Sequence, residues 1–368
     1  MQKKYVSFAL LGAALVLLGA GCSTAPVLPD GGMFVSGDSG TTWLAKSSLF
    51  STGAPMSFAT LDINTFAIDP SDSKSLWAGT MANGILYSSD GGEGWQIAKN
   101  YAPAELQLTT SRVNAIAVDP ANSCVVYAAT TNPAGASYVV RTINCGRSWG
   151  MLSTSEIAAQ QFGAIAINPK NRLQIYLGNS AGDMFRTDNG GQSWVKLTSF
   201  AGKRIRSIVP HPTKDGVVYV GTAQGGLWKT SDAGVTWART EDSKKFRGAD
   251  DVFAIAIDPT KEDALLIGTA YGILHSEDGG ASWEAYQLLT APNETQIISL
   301  AINPVNPAHI YYGTPKAFYR SVDGGNTWTT KRIPTARVVK QLNVQNLKGA
   351  AGVADSDLIW LAAWNPAQ

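Results

Sequence analysis

The octapeptide SVDGGNTW occupies residues 321–328 and follows the pattern Ser/Thr-x-Asp/Asn-x-Gly-x-x-Trp. The pattern occurs seven times in the 368-residue chain, and its tryptophans lie 43 to 54 residues apart. Its acidic or amide position is held by Asp38, Asp90, Asn144, Asn189, Asp232, Asp278 and Asp323. Seven copies at this spacing indicate a repeat architecture, either a closed propeller or an open solenoid.

The residue types of this motif suit a tight turn between two strands. An Asp or Asn side chain accepts backbone N–H groups within a turn, and glycine adopts positive φ without steric strain. The tryptophan then begins the next strand and buries a large ring. We therefore predict a structural role for all seven motifs and expect no catalysis or metal binding there.

Two further landmarks recur in step with the motif. One is an apolar stretch that ends in Asp-Pro or Asn-Pro, as at residues 66–70, and the other ends in Gly-Thr, as at residues 77–80. Proline stops the first strand because it cannot donate to a ladder. Each repeat thus reads as strand A, strand B, strand C, the motif and strand D. Four antiparallel strands at this period make one propeller blade.

The two ends of the chain carry complementary half-repeats. Residues 33–35 and 42–44 form only a C–D pair, and residues 337–344 and 358–364 form only an A–B pair. Pairing them completes a seventh blade and removes the open sheet edge that a solenoid would need to cap. The sequence therefore predicts an all-β fold in which residues 32–368 form one closed, seven-bladed propeller.

The N-terminus has the pattern of an export signal. Lys3 and Lys4 precede an apolar run at residues 5–18, and small residues lead to Cys22. This pattern resembles a bacterial lipoprotein signal, which implies a signal peptide at residues 1–21, acylation of Cys22 and a tether at residues 22–31. A cleaved signal with an incidental cysteine is the alternative. The run is shorter than the roughly 20 residues of a membrane-spanning helix. We expect an exported protein anchored by lipid on the outer membrane or the cell surface.

Charge and cysteine content narrow the range of partners. The chain has 29 basic and 28 acidic residues, so nothing resembles the strongly basic surface that nucleic acid requires. A monomer without cofactors is expected. Export permits disulfides. Cys124 begins strand B of its repeat and Cys145 follows strand C, so these neighbouring strand ends should meet and form a disulfide.

The seven motifs resemble the Asp-box, or BNR, repeats of bacterial sialidases, xyloglucanases, sortilin-type receptors and Ycf48-type photosystem II assembly factors. The resemblance covers nearly the whole exported chain, and in size and lipoprotein form it is greatest for the Ycf48-type factors. It implies the propeller fold. It leaves function open, because proteins with these repeats do different things.

The sequence lacks the residue groupings that catalysis would need. His211, His275 and His309 fall in three different repeats, and no spacing resembles a metal site. Asp250-Asp251 is an adjacent acidic pair on the face opposite the Asp boxes. We therefore predict a non-catalytic binding or assembly module for a protein or glycan. A glycoside hydrolase of unusual pattern, sialidase-like or otherwise, is the alternative.

A polar position at the start of strand A marks the candidate binding face. Seven residues before each strand-A terminus the chain has Asp62, Arg112, Gln161, Arg204, Asp251 and Gln296, each followed by an apolar residue. Simple solvent exposure of strand starts would give the same pattern. As a functional site, the pattern predicts a mixed-charge ring at the axis, on the face of the DA and BC loops. We assign binding to Asp62, Arg112, Arg204, Arg206, Arg247 and Asp251. The apolar DA loops at residues 45–61 and 96–111 are a second candidate contact surface.

Overall fold

Each Asp-box repeat folds into a four-stranded antiparallel sheet, and seven such sheets form a closed ring. The structure is a computed structural model that describes residues 30–50, 54–99, 101–152, 157, 161–346 and 357–365. It confirms the predicted seven-bladed propeller. We number the blades along the chain and letter their strands A to D from the axis outward.

The strand bounds follow the repeat. Blade 1 comprises Ile63–Ile68, Leu76–Thr80, Ile85–Ser88 and Gln96–Ile97, and blade 2 comprises Arg112–Asp119, Asn122–Thr131, Ser137–Thr142 and Trp149–Met151. Blade 3 comprises Phe162–Ile167, Ile175–Asn179, Asp183–Thr187 and Val195–Ser199, and blade 4 comprises Ile205–Pro210, Val218–Thr222, Gly226–Thr230 and Ala238–Arg239. Blade 5 comprises Val252–Ile257, Leu265–Thr269, Ile273–Ser276 and Glu284–Ala285, and blade 6 comprises Ser299–Ile302, Ile310–Gly313, Phe318–Ser321 and Thr329–Lys331. Blade 7 comprises Val338–Asn346, Asp357–Trp364, Gly32–Ser36 and Leu44–Ala45.

Short additional elements decorate the DA loops. Ser48–Leu49 and Met56–Ser57 form a small hairpin, and Tyr101–Ala102 runs parallel to strand D of blade 2. Single 3-10 turns occupy Ala104–Leu106, Leu108–Thr110 and Asp242–Lys245.

The two chain ends close the ring within blade 7. Strand Gly32–Ser36 pairs antiparallel with strand Asp357–Trp364, with Gly32 opposite Ala363 and Ser36 opposite Ile359. The predicted pairing of the terminal half-repeats is therefore confirmed. The ring is held by backbone hydrogen bonds between residues more than 300 positions apart.

The hydrophobic core lies between neighbouring blades. Between blades 4 and 5, for example, Tyr219 and Leu227 pack with Val252, Leu274 and Trp283 of the next blade. All five side chains are at most 2% exposed. Burying a large apolar side chain stabilises a fold by about 1.5–3 kcal/mol, so each interface contributes to the stability of the whole ring.

The Asp boxes make the turn that their residue types predict. In blade 5, Ser276 Oγ donates to Asp278 Oδ1 at 2.8 Å and accepts from Gly280 N at 2.8 Å. The same carboxylate accepts the Ser282 backbone N–H at 2.9 Å and the Ser282 hydroxyl at 2.5 Å. These hydrogen bonds lower the pKa of Asp278 to about 2. The box carboxylate is fully engaged in its own turn.

The turn after strand A uses the same chemistry. Asp69 Oδ1 accepts from Ser71 N at 2.7 Å, and Asn303 Oδ1 accepts from Val305 N at 2.8 Å. Blade 4 has His211 at this position, and its Nδ1 accepts from Lys214 N at 3.0 Å. Because Nδ1 accepts, Nε2 carries the proton and donates it to the Glu262 carbonyl at 2.7 Å. The histidine is thus a turn residue.

A second repeated contact fastens blades 2, 3 and 4 to the Asp box of the next blade. A tyrosine in strand B donates to the backbone carbonyl of the fourth residue of that Asp box. A basic residue opposite the tyrosine, in strand C, donates to the same carbonyl. Tyr127 and Arg141 bind the Gly190 carbonyl, Tyr176 and Arg186 bind that of Ala233, and Tyr219 and Lys229 bind that of Gly279, at 2.6 to 3.5 Å. These contacts explain why the aromatic residue recurs in strand B.

The two cysteines outside the signal sequence lie side by side. Cys124 and Cys145 are joined by a disulfide, their Cα atoms are 3.7 Å apart, and Cys145 N donates to the Cys124 carbonyl at 3.1 Å. They connect the start of strand B to the Asp box of blade 2.

The predicted signal peptide and Cys22 lie outside the described residues. Asp30, at the end of the predicted tether, already contacts the propeller, because its carboxylate accepts from Arg337 Nε at 3.1 Å. Over the ranges that the structure describes, no helix is long and apolar enough to cross a membrane.

Candidate functional site

The innermost strands of all seven blades surround a cavity at the axis. Its volume is about 860 Å³, and strand A of every blade contributes to its wall. The wall includes Arg112, Gln161, Arg204 and Gln296, four of the six positions that the strand-A pattern selects. The mouth of the axial channel, as we call this cavity, is the candidate site.

A β-bulge in strand A shapes the wall. The ladder between strands A and B shifts register one residue after the apolar position in six blades, and the bulged residues are Asn64, Asn114, Gly163, Arg206, Phe253 and Lys340. All six line the channel. A bulge re-aims a side chain that would otherwise alternate across the sheet. It therefore adds a second ring of channel residues to the ring that strand starts supply.

Four cations meet in this wall. Arg112 and Arg204 come from strand starts, and Arg206 and Lys340 are bulged residues. Burial, and after it the positive charges of Arg204, Arg112 and Arg206, lower the pKa of Lys340 to about 8. Burial also lowers the pKa of Arg206. The wall therefore holds cations at a free-energy cost that a bound anion would relieve.

Aromatic rings support two of these cations. The guanidinium carbon of Arg206 lies 4.0 Å from the centre of the Phe253 ring, and the ammonium group of Lys340 lies 5.0 Å from that of Trp364. Both distances are within the range of cation–π attraction. The rings help to fix the positions of these two charges.

The two acids of the predicted ring do not line the channel. Asp62 is buried and accepts from Arg337 Nη1 at 2.5 Å and from Asn365 N at 2.8 Å. Asp251 pairs with Arg206 at 2.8 Å and accepts from Gln224 N at 3.2 Å. The expected mixed-charge ring therefore becomes a predominantly positive one, because its acids are bound at the side of the channel.

Arg247 lies apart from the other predicted binding residues. It is exposed on the DA loop that leads into blade 5 and does not contribute to the channel wall. It could meet only a partner that extends beyond the mouth.

The apolar DA loops are less available than their composition predicts. Phe58, Leu106 and Leu108 are at most 1% exposed, because they pack into the core between blades. Of the large apolar side chains that the structure describes in these loops, Phe50 and Met56 stay exposed, at 56% and 55%. Leu106 and Leu108 of the second loop are therefore unavailable to a partner, whereas the exposed tip of the first loop stays a candidate contact surface.

Lys340 is the functional candidate that sequence analysis missed. Its strand, Val338–Asn346, lacks the Asn-Pro or Asp-Pro ending from which the other blades were aligned. The usable signal was the apolar position itself, because in every blade with a bulge the bulged residue directly follows it. In blade 7 the apolar residue is Val339, which precedes Lys340.

The channel wall has no carboxylate among its described residues. Glycoside hydrolysis normally uses two carboxyl groups facing each other across the scissile bond, so this cavity lacks the pair. Within the same described portion of the chain, no group of three or more His, Cys, Asp or Glu side chains could hold a metal ion.

Comparison with known proteins agrees with the geometry. Residues 182–272 match the model of the family described as sortilin, neurotensin receptor 3. No curated protein matches the sequence. The match spans blades 3 to 5, so it supports the repeat type.

Solved structures share the propeller. A GH74 xyloglucanase from Xanthomonas campestris has a TM-score of 0.66 at 17% identity, over 83% of this chain and 51% of that one. YCF48 bound to D1 peptide has a TM-score of 0.60 at 15% identity, over 84% and 94% of the two chains. The extracellular domain of the one-component system BT4673 from B. thetaiotaomicron has a TM-score of 0.60 at 15% identity, over 84% and 38%. The chain spans about half the length of the xyloglucanase and nearly all of YCF48. At these identities the likeness establishes the fold.

Proposed function

We propose that the protein is an exported, lipid-anchored binding module that holds an anionic segment of a protein or glycan in the mouth of the axial channel. One observation carries this proposal. Arg112, Arg204, Arg206 and Lys340 line a single cavity, and among the residues that the structure describes Asp251 is the only carboxylate that pairs with any of them.

The physical argument is charge complementarity. Like charges held close together repel, and this repulsion adds to burial in lowering the pKa of Lys340. A carboxylate, sulfate or phosphate group in the channel would offset it and accept charge-assisted hydrogen bonds from the guanidinium groups. Binding of such a ligand should raise the pKa of Lys340 and weaken as salt increases.

Binding is favoured over hydrolysis by the composition of the wall. The structural relatives include both xyloglucanases and a peptide-bound assembly factor, so the fold permits either function. The described channel residues supply cations, amides and four aromatic rings and lack an acid pair. Those groups recognise an anion, whereas the alternative of a glycoside hydrolase would need carboxylates from elsewhere.

The anchor completes the proposal. Diacylated or triacylated Cys22 would hold the propeller at the membrane surface, since two or more acyl chains anchor firmly where one is marginal. Cys22→Ser should release the protein from membranes into the soluble fraction. An unchanged membrane fraction would rule out the lipid anchor without bearing on the channel.

The channel is tested with a defined anion. A fluorescent hexaglutamate peptide, and a polygalacturonate fragment as the glycan counterpart, are titrated against the soluble propeller, with hexaglutamine as the neutral control. At least one anion should bind, and the triple variant Arg112→Gln, Arg204→Gln, Lys340→Gln should bind at least about tenfold more weakly. Arg247→Gln is the control, since it removes an exposed cation that lies outside the wall. If neither anion binds, or if the triple variant binds normally, the assignment is wrong.

A further inference from the structure

The interface between blades 5 and 6 has no tyrosine–cation pair reaching the next Asp box, although Tyr286 of blade 5 packs against the box glycine Gly325. In blades 2, 3 and 4 a tyrosine and a basic residue reach the next Asp box, and blade 6 carries Tyr311 and Arg320 at the same positions. In blades 1 and 7 the rings of Trp77 and Trp360 cover the next Asp box instead. They lie 2.8 and 2.7 Å from the points at which a Cβ atom would stand on Gly146 and Gly92. Blade 5 has the shorter pair Leu266 and His275.

The shorter pair leaves a notch between blades 5 and 6. Its volume is about 630 Å³, and its walls include Leu266, His275, Tyr286 and the box glycine Gly324. Gly279 is the equivalent box residue of blade 5, and Lys229 Nζ lies 2.6 Å from the point at which a Cβ atom would stand on it. At Gly324 no residue beyond its chain neighbours lies within 4 Å of the corresponding point. Among the described residues, no side chain donates to the Gly324 carbonyl.

The notch is lined by an excess of acidic side chains and by a stacked pair of rings, and both would favour a bound cation. Asp258, Glu277 and Glu284 line it against the single basic residue Lys261, which pairs with Glu277 at 2.9 Å. His275 stacks on Tyr286, with ring centres 4.4 Å apart and planes 17° apart. Burial lowers the pKa of His275, so the ring stays neutral at pH 7 and adds no positive charge.

We propose that this notch binds an arginine side chain supplied by a partner protein. The chain itself shows how the site would work, because Arg186 fills the equivalent space between blades 3 and 4 and donates to the Ala233 carbonyl at 2.6 Å. A guanidinium from outside would take the same path. It would donate to the Gly324 carbonyl and to Glu277 or Glu284, with the Tyr286–His275 pair as its wall. The site lies on the Asp-box side of the ring and is independent of the anion site in the channel.

The test uses a probe that carries only the side chain in question. N-acetyl-arginine amide is titrated into isotope-labelled protein and followed by NMR, with the neutral isostere N-acetyl-citrulline amide and the aromatic N-acetyl-tyrosine amide as separate arms. A single side chain should bind with a Kd on the order of 1–10 mM and shift the resonances of Gly324, Gly325 and His275. Citrulline and tyrosine should shift them little.

A filled-notch variant supplies the control. Leu266→Tyr with His275→Arg gives blade 5 the pair found in blades 2 and 3, so the variant should fold at least as stably and bind the probe at least about tenfold more weakly. Glu277→Gln with Glu284→Gln should also weaken binding and leave the fold intact, since both side chains are 70% or more exposed. Equal binding of citrulline, preference for tyrosine, no shift at the notch, or undiminished binding by the filled variant would each overturn the proposal.

Discussion

The ammonium group of Lys340 lies over the ring of Trp364, 5.0 Å from its centre, where strands A and B of blade 7 meet at the channel. The ring attracts the charge, yet the pKa of Lys340 is still lowered to about 8. Burial is the largest cause of this lowering, and the three arginines add to it. The positive charge of Lys340 is therefore expected to lower the free energy of unfolding of the propeller.

Lys340→Met should stabilise the propeller at pH 7. The folded-state pKa lies below the ordinary value of 10.5, so between pH 8 and 10.5 the unfolded chain binds more protons than the folded one. Stability of the native protein should therefore rise with pH across that window. Removing the charge should add about 1–2 kcal/mol at neutral pH, and this gain should shrink towards pH 10.5.

Urea unfolding at pH 7 and at pH 10.5 measures this difference, with exposed Lys316→Met as the control. A gain that does not depend on pH would mean that methionine packs better and that charge repulsion is not the cause.

The architecture could be predicted because each of its determinants is local. A box such as residues 276–283 makes its own turn from its own side chains, so its sequence pattern and its structure correspond directly. The spacing of the boxes and the complementary ends then fixed the number of blades and the closure. No contact between distant residues had to be known.

The charge of the channel could not be predicted, because it depends on contacts between distant residues. Asp62 and Arg112 occupy the same position in successive repeats. Asp62 nevertheless turns to Arg337, 275 positions away, while Arg112 faces the channel. Nothing local to Asp62 indicates this partner. Lys340 was missed for a related reason, since a β-bulge changes which side chains face the axis without leaving a signal in composition.

Asp62→Ala should reduce stability and leave anion binding in the channel unchanged. The carboxylate is buried and accepts from Arg337 and from Asn365 N. Its loss leaves a partly buried guanidinium held only by Asp30 and by the Thr60 carbonyl, at a cost of about 1–3 kcal/mol. Thermal unfolding and the hexaglutamate titration measure the two properties separately. Altered peptide affinity with unchanged stability would return Asp62 to the binding site.

The Cys124–Cys145 disulfide should contribute about 3 kcal/mol, because it closes a loop of about 20 residues. The exported protein, denatured without reductant, should show no titratable thiol from this pair. Cys124→Ala with Cys145→Ala should lower the free energy of unfolding by that amount. Reductant should lower the free energy of unfolding of the native protein to the same value. Two free thiols in the exported protein would refute the bond.

Asp278→Ala should destabilise the ring, and Asp278→Asn should be tolerated. Alanine removes the acceptor for Ser276 Oγ, Ser282 N and Ser282 Oγ, which should cost about 1–3 kcal/mol. Asparagine keeps one acceptor oxygen. Its amide nitrogen can donate to Ser282 Oγ, which reverses the direction of the hydrogen bond that the Ser282 hydroxyl donates to Asp278. Blade 2 shows this arrangement, because Asn144 Oδ1 accepts from Ser148 N at 2.9 Å while Asn144 Nδ2 donates to Ser148 Oγ at 2.8 Å.

The pH dependence of unfolding should distinguish an Asp box that carries aspartate from one that carries asparagine. The pKa of Asp278 falls from 3.8 to about 2 on folding, so the carboxylate stabilises the fold above pH 4 and loses that contribution as the pH drops towards 2. An asparagine does not titrate. Asp278→Asn should therefore unfold with a shallower pH dependence between 4 and 2 than the native protein, even where the two are equally stable at pH 7. Guanidinium titrations at pH 7, 4 and 2 measure that slope. Identical slopes would mean that the box carboxylate does not titrate with folding and that its hydrogen bonds are equally strong when it is protonated.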